Sequence, residues 1–213
     1  LHLLSRRQRQ MCIRDRNKIT MTRIALSVLL LIGMLLPWYQ LGINFATWQI
    51  GNVNVSLKYI IAGIIFLIAS LSDSLDGYIA RKYNLVTDFG KVMDAIADKL
   101  LVNGLLIILA YDGAISIVIP VVIISRDIVV DSCKMISGQK GKVVAASILG
   151  KLKTICMMSG LTLTFFYNLP FELINFPLSD ILLISAVILS VISGCQYFYG
   201  VKDIFCLLYT SPS

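Results

Sequence analysis

Charged residues and histidine are both scarce in this sequence. Only 15% of the 213 residues are charged, whereas 57% are hydrophobic and the mean hydropathy is +0.83. A water-soluble domain is less apolar than this, so the composition is typical of a membrane protein. The only histidine is His2, in a terminal segment without periodicity. Its position excludes a histidine-based triad, a zinc–histidine site and a histidine general base, which leaves carboxylates, lysine, arginine and hydroxyl groups for any chemistry.

Cysteine spacing offers no metal site either. Cys133, Cys156 and Cys195 are scattered through apolar stretches without a CxxC pattern, so we interpret them as core residues. Both ends of the chain lack hydrophobic periodicity, and the first sixteen residues contribute +4 to a net charge of +7. We interpret 1–16 and 204–213 as an artefactual or disordered leader and tail. The remaining residues, 17–203, are predicted to form one domain.

Six apolar runs are long enough to cross a bilayer as helices. They lie at 24–41, 57–75, 92–111, 114–134, 154–170 and 179–199. The connections between them are short. The sequence therefore predicts an all-α, polytopic membrane protein with six transmembrane helices.

The connections differ in charge between the two sides of this predicted bundle. The connection at 42–56 has no charge, and those near 112 and at 168–180 contain only acidic residues. Basic residues are concentrated on the other side: Lys18, Arg23, Arg81, Lys82, Lys91, Lys134, Lys140, Lys142, Lys151, Lys153 and Lys202. By the positive-inside rule the basic side is cytoplasmic, and both termini are predicted to lie there.

Four aspartates lie at helical spacing around the connection between the second and third apolar runs. Asp73 and Asp76 are three residues apart, and Asp94 and Asp98 are four apart, so each pair shares one face of a helix. A tight hairpin would turn the two faces toward each other. Clustered carboxylates at a bilayer edge need a neutralising cation, and oxygen ligands without histidine or cysteine select Mg²⁺ or Mn²⁺. The pattern predicts two such ions, which together bind a diphosphate.

The neighbours of these aspartates fit a phosphate ligand. Gly77 and Ala80 lack bulk on the same face as Asp73, and Arg81 offers a planar fork for phosphate oxygens. The alternative is that the aspartates are solvated helix-end residues that pair with nearby lysines and arginines. We favour the metal site because four acids on matched faces are too many for capping alone. Asp88, by contrast, is interpreted as an N-terminal cap of the third helix.

The order Asp73-x2-Asp76-Gly77-x2-Ala80-Arg81-x8-Gly90-x3-Asp94-x3-Asp98 resembles the signature of the CDP-alcohol phosphatidyltransferases at every fixed position. The resemblance implies a six-helix fold in the bacterial cytoplasmic membrane, usually homodimeric, with an active site open to the cytoplasm. It implies that Asp73, Asp76 and Asp94 bind the metals, and that Asp98 is the general base and a further metal ligand. It also implies a set of residues that bind CDP-diacylglycerol: Asn17, Thr20, Gly77, Arg81 and Thr87.

Further segments are similar to the members of this family whose acceptor is glycerol 3-phosphate. They are 17–20 (NKIT), 125–130 (SRDIVV) and 150–154 (GKLKT). An acceptor that carries a phosphate dianion needs fixed positive charge nearby. We expect that charge from Arg126, Lys134, Lys151 and Lys153, with the free hydroxyl of the acceptor facing Asp98. Lys134 stands where the family has an arginine, so it offers a point charge in place of a fork.

Other functions are open at this point. A sibling phosphatidyltransferase that uses inositol phosphate, serine or another alcohol would share the aspartates and differ in its acceptor pocket. A magnesium-dependent membrane prenyltransferase also binds a diphosphate, but it needs a longer chain and acidic motifs on non-adjacent spans. A non-enzymatic transporter would place its acids at mid-membrane and not at the cytoplasmic edge. No nucleic-acid partner is predicted.

Overall fold

A computed structural model of the chain describes residues 21–22, 24–38, 40, 42–43, 45–51, 53–82, 88–139 and 148–210. For 73–82, 88–95, 136, 139 and 201–210 the description covers the backbone alone. The chain divides into two compact units after Ile108. Within the described residues each predicted apolar run contains a helix, which confirms a mostly helical fold.

The first unit begins with helix α1 (Ile24–Leu35), which is followed by strands β1 (Thr47–Ile50) and β2 (Val53–Ser56). Helix α2 (Leu57–Lys82) and helix α3 (Asp88–Tyr111) come next, and the last residues of α3 cross into the second unit. Helix α1 ends earlier than the predicted 41 because Pro37 disfavours the helical conformation in the residue before it. Fully buried apolar side chains in this unit include Phe66 on α2 and Leu105 and Leu106 on α3.

The two strands form a hairpin that the sequence analysis did not predict, so the expected all-α fold is wrong in this detail. The strands pair antiparallel, with Thr47 opposite Ser56 and Ile50 opposite Val53. Two residues join them, and Gly51 at the turn has a φ of 62°. Two-residue hairpin turns favour positive φ, which glycine adopts without steric cost. The uncharged connection after α1 is therefore an ordered hairpin that leads into α2.

Two further contacts fix the connection between α1 and the hairpin. The indole Nε1 of Trp38 donates a 2.6 Å hydrogen bond to the carbonyl oxygen of Gly33. The Trp38 ring also meets the Phe45 ring edge-on, with centroids 5.6 Å apart and planes at 86°. Edge-to-face geometry is favoured between aromatic rings. This connection therefore packs on the end of α1.

The second unit contains helix α4 (Val118–Gln139), helix α5 (Ile148–Phe165), a 3₁₀ helix (Phe171–Ile174) and helix α6 (Leu178–Thr210). Helix α6 packs against both α4 and α5. Helix α4 starts at Val118, later than predicted, after a turn in which Gly113 has a φ of 75°. Pro120 lies in its first turn, where a missing N–H costs no helical hydrogen bond. Helix α6 continues beyond the predicted span and into the segment interpreted as a tail.

Asn168 closes the connection between α5 and α6. Its side chain is 4% exposed, and its Nδ2 donates 2.7 Å and 3.1 Å hydrogen bonds to the Phe176 carbonyl and the Glu172 carboxylate. Its Oδ1 accepts a 3.2 Å hydrogen bond from the backbone N–H of Ser179. A buried polar group is tolerated when its donors and acceptors are used. Asn168 therefore ties the start of α6 to the end of α5.

Close approach of α5 and α6 depends on Gly160. A Cβ placed on Gly160 would lie 2.9 Å from Cγ and Cδ2 of Leu183, a side chain that is fully buried on α6. Small residues allow helix backbones to approach one another in this way, as is common between membrane helices. The opposite side of α6 carries an exposed apolar stripe at helical spacing, made of Ile181, Ile184, Ile188 and Val191.

Among the described residues, two helical segments are long and apolar enough to cross a membrane: Ile148–Phe165 and Leu178–Gly200. Two shorter apolar helical segments are Ile24–Leu35 and Leu57–Ser72. Exposed apolar side chains are abundant on the first unit too, for example Leu29, Leu35 and Leu71, each more than 60% exposed. The number of membrane spans, six, remains a prediction.

Candidate functional site

The four aspartates of the signature lie on two consecutive helices, as predicted. The helical backbone of α2 extends through Asp73 and Asp76, and that of α3 extends through Asp94 and Asp98. Residues three or four apart on a helix share a face, so the backbone agrees with the predicted pairing within each helix. The side chains of Asp73, Asp76 and Asp94 lie outside the described residues, and the metal-ligand role of all four aspartates stays a prediction.

Asp98 is the one carboxylate of this set whose side chain the structure describes. It is half-buried, one residue after Ala97 and three before Leu101, both of which are almost fully buried. Val102 and Leu105, four and seven residues after Asp98, are buried too, whereas Ile96 and Leu100, two residues away in either direction, are exposed. Residues three, four and seven apart share a helix face, so Asp98 lies on the packed face of α3. Among the described side chains, no three His, Cys, Asp or Glu residues are grouped closely enough to hold a metal ion.

Five residues are predicted to bind CDP-diacylglycerol, and the structure describes none of their side chains. Asn17, Thr20 and Thr87 lie outside the described residues, and for Gly77 and Arg81 the structure describes the backbone alone. Their assignment stays a prediction.

The second unit contains a compact ion cluster between α4 and α5. Oδ1 of Asp127 accepts hydrogen bonds from Nζ of Lys153, at 2.7 Å, and from Nη1 of Arg126, at 2.9 Å. Only 5% of the Lys153 side chain is exposed, compared with 14% for Arg126 and 16% for Asp127. Salt screens ion pairs only weakly when the charged side chains are so little exposed to solvent. Two of the predicted acceptor-binding residues, Arg126 and Lys153, are thus brought together by one carboxylate.

Helix α6 holds the guanidinium of Arg126 from another side. Nε of Arg126 donates a 3.0 Å hydrogen bond to the Ser190 carbonyl, and Nη2 donates a 2.6 Å bond to Oγ of Ser193. Ser190 and Ser193 are both fully buried. The next residue, Gly194, leaves room for the arginine, since a Cβ there would lie 3.1 Å from Cγ of Arg126. We call Arg126, Asp127, Lys153 and Ser193 the basic cluster.

The other two predicted acceptor-binding residues are placed differently. Lys134 is exposed, with its Nζ 5.4 Å from the centroid of the Tyr197 ring. An ammonium over an aromatic face is attracted to the ring's electron density. Lys151 is exposed on the first turn of α5. All four basic residues remain predicted ligands of the acceptor phosphate.

Sequence reasoning missed two members of the basic cluster. Asp127 was included only within the segment 125–130, and Ser193 was included only within the apolar run 179–199. A signal was present for both, because a charged residue or a hydroxyl inside an apolar helix needs a partner when it is buried. The tertiary packing of α4, α5 and α6 was needed to identify that partner.

Arg126 also lines an open cavity of about 600 Å³ along α4 and α6. Most of its wall is apolar, with Val121, Val129 and Phe198 among the lining residues. The Arg126 guanidinium provides positive charge and hydrogen-bond donors at the wall of this cavity. A second cavity, of about 320 Å³, lies in the first unit between α1 and α2 and is lined by apolar residues and Lys58.

A helical chain with paired aspartates on consecutive helices and a buried basic cluster fits the family named by the sequence signature. This chain belongs to the CDP-alcohol phosphatidyltransferase family, whose sequence model matches residues 16–192. The match includes all four aspartates and all four predicted acceptor-binding residues.

Curated relatives from three bacteria carry one name, CDP-diacylglycerol–glycerol-3-phosphate 3-phosphatidyltransferase. The Bacillus subtilis protein is 42% identical over 182 residues, which cover 85% of this chain and 92% of that protein. The Mycoplasma genitalium protein is 41% identical over 152 residues, or 70% of this chain and 64% of the relative. The Rickettsia bellii protein is 35% identical over 154 residues, or 72% and 85%.

Proposed function

We propose that this protein transfers the phosphatidyl group from CDP-diacylglycerol to glycerol 3-phosphate and releases CMP. The observation that carries the proposal is the similarity to the Bacillus subtilis protein, at 42% identity over 85% of the chain. The name of that relative specifies both the donor and the acceptor. The basic cluster supports the same acceptor, because a phosphate monoester requires fixed positive charge.

The chemistry assigned to the chain is a displacement at phosphorus. Asp98 accepts the proton of the 1-hydroxyl of glycerol 3-phosphate, and the hydroxyl oxygen attacks the β-phosphorus of CDP-diacylglycerol. The bond from this phosphorus to the bridging oxygen of the diphosphate breaks, and CMP leaves with that oxygen. The products are phosphatidylglycerophosphate and CMP.

The donor set of α2 and α3 fits divalent metal ions. Asp73, Asp76, Asp94 and Asp98 offer only carboxylate oxygens, the ligands that Mg²⁺ and Mn²⁺ prefer. Their helical spacing places each pair on one face of a regular helix. When bound, two such ions neutralise the diphosphate and make the acceptor hydroxyl more acidic. We assign the ions to these four residues.

We further propose that the chain crosses the cytoplasmic membrane of a bacterium six times, as a homodimer with its active site and termini on the cytoplasmic side. Helices α5 and α6 are long and apolar enough to span a bilayer. The exposed apolar stripe of α6 fits contact with lipid chains. The charge asymmetry of the connections favours the stated orientation.

An acceptor panel tests the proposal. The purified protein is incubated in detergent micelles with CDP-diacylglycerol and Mg²⁺, and CMP release is measured with glycerol 3-phosphate, inositol phosphate, serine or glycerol as the acceptor. We expect CMP release and phosphatidylglycerophosphate with glycerol 3-phosphate alone. Product from inositol phosphate or serine, and none from glycerol 3-phosphate, would make the protein a sibling enzyme of the same family.

A pair of isosteric variants tests the role of Asp98. Asp98→Asn removes the proton acceptor and is expected to reduce kcat by at least about 100-fold, the lower end of what general-base catalysis contributes. Asp180→Asn is the matched control, because Asp180 is exposed in the first turn of α6. We expect this control to retain wild-type turnover. Near-normal turnover in Asp98→Asn would remove the general base from the mechanism.

A further inference from the structure

The carboxylate of Asp127 holds two cations with a single oxygen atom. Nζ of Lys153 and Nη1 of Arg126 lie 2.7 Å and 2.9 Å from Oδ1 of Asp127. Two positive charges and one negative charge leave the cluster with an excess of one positive charge. Because the Lys153 side chain is almost completely buried, this excess is fixed in position and not spread over a mobile surface chain.

The guanidinium of Arg126 is held at all three of its nitrogen atoms. Besides Asp127, its partners are the Ser190 carbonyl and Oγ of Ser193, at 3.0 Å and 2.6 Å. An arginine side chain has five N–H donors. Within the part of the chain that the structure describes, these three bonds leave one N–H on each terminal nitrogen. A phosphate group accepts from two such donors at once.

We propose that Asp127 is a positioning residue for the phosphate group of the acceptor. It touches Arg126 and Lys153 and not the ligand, and it fixes the two cations in one arrangement before the ligand arrives. Long basic side chains lose rotamer entropy when they bind an anion, so a cation that is already fixed binds more tightly. The inference rests on the proposed function, since it assigns a phosphate-bearing acceptor to this cluster.

The charge of Asp127 and its positioning role act in opposite directions on phosphate binding. As a nearby negative charge, Asp127 repels the phosphate, so its removal by itself would strengthen binding. As an anchor it orients both cations, so its removal would weaken binding. The sign of the change in KM for the acceptor therefore separates the two effects.

Two variants perturb the cluster in different ways. Asp127→Asn keeps the shape of the side chain and removes its charge. Gly194→Ala changes no charge but places a methyl group 3.1 Å from Cγ of Arg126, which must then shift by a few tenths of an ångström. Gly200→Ala, on the same helix, is the matched control, because a Cβ there meets nothing within 4 Å.

The kinetic test measures KM separately for glycerol 3-phosphate and for CDP-diacylglycerol in the same micelles. For Asp127→Asn we expect KM for glycerol 3-phosphate to rise about tenfold or more, as for a lost charge-assisted hydrogen bond. Gly194→Ala should give a smaller rise in the same direction. KM for CDP-diacylglycerol should stay at the wild-type value in both variants, and Gly200→Ala should match the wild type throughout.

A binding readout separates this inference from the proposed acceptor. The rise in unfolding temperature caused by glycerol 3-phosphate, inositol phosphate or unphosphorylated glycerol is measured for each variant without CDP-diacylglycerol. We expect phosphate-bearing ligands to protect the wild type and to protect Asp127→Asn less. If only inositol phosphate protects the wild type and Asp127→Asn loses that protection, the acceptor assignment fails and the positioning role stands. An unchanged or lower KM in Asp127→Asn, with equal protection, would overturn the positioning role.

Discussion

Replacing Gly160 with alanine probes how closely α5 and α6 pack. The new Cβ would lie 2.9 Å from Cγ and Cδ2 of Leu183 and 3.3 Å from its backbone nitrogen. The Leu183 side chain is fully buried, so it has little room to change rotamer, and its backbone nitrogen moves only with α6. The helices must therefore separate slightly. Overpacking of this kind costs about 1–3 kcal/mol. Alanine is also a better helix former than glycine by about 1 kcal/mol, so we expect a net destabilisation of about 1 kcal/mol.

The matched control is Gly200→Ala on α6, where the added methyl group meets nothing within 4 Å. Only the gain in helix propensity applies there, so this variant should be stabilised by up to about 1 kcal/mol. For a chain of this size, 1 kcal/mol corresponds to about 2–4 °C in the unfolding temperature. The two substitutions are chemically identical, so opposite signs isolate the contact with Leu183.

Thermal unfolding of both variants in the same detergent and at the same scan rate provides the measurement. A second comparison introduces Leu183→Ala alone and together with Gly160→Ala. Leu183→Ala by itself removes a fully buried side chain and should lower the free energy of unfolding by about 2–5 kcal/mol. The loss should be smaller in the Gly160→Ala protein, because there the substitution also relieves the clash. If Gly160→Ala raises the unfolding temperature as much as Gly200→Ala does, the close approach of α5 and α6 is wrong.

Three further substitutions test other contacts by the same unfolding measurement. Asp127→Ala removes the carboxylate beside buried Lys153 and should lower the free energy of unfolding by about 3–5 kcal/mol. Adding Lys153→Met to this variant should restore part of the lost stability. If it restores none, the ion pair between Asp127 and Lys153 is contradicted. Trp38→Phe removes the 2.6 Å hydrogen bond to the Gly33 carbonyl and should cost about 1 kcal/mol. Gly51→Ala forces an L-residue to a φ of 62° and should cost about 1–2 kcal/mol, whereas a neutral result would argue against the hairpin turn.

Local sequence pattern was sufficient to locate the helices and the family. Apolar runs of near-spanning length predict helices wherever they occur, because a helix satisfies its own backbone hydrogen bonds. Helix ends were less predictable. α4 begins after a glycine with positive φ. α5 ends at Phe165, three residues before Asn168, whose side chain reaches residues that are eight and eleven positions later. The hairpin was missed because its short strands lack charge and resemble a plain connection.

The signature aspartates were recognised because metal ligands on one helix face are separated by three or four residues. Their spacing is a property of one helix at a time, and it can be read from the sequence. Sequence alone therefore determined the helical class, the family and the candidate donors of the metal site.

The basic cluster depended on the tertiary structure. Arg126 and Lys153 were candidates from their charge, yet nothing in their spacing relates α4 to α5 or to Ser193 on α6. Long-range packing decides which buried charges share a partner, because desolvation makes each one depend on whatever the fold places within hydrogen-bond distance. Only the packing of three helices revealed that one aspartate holds both cations.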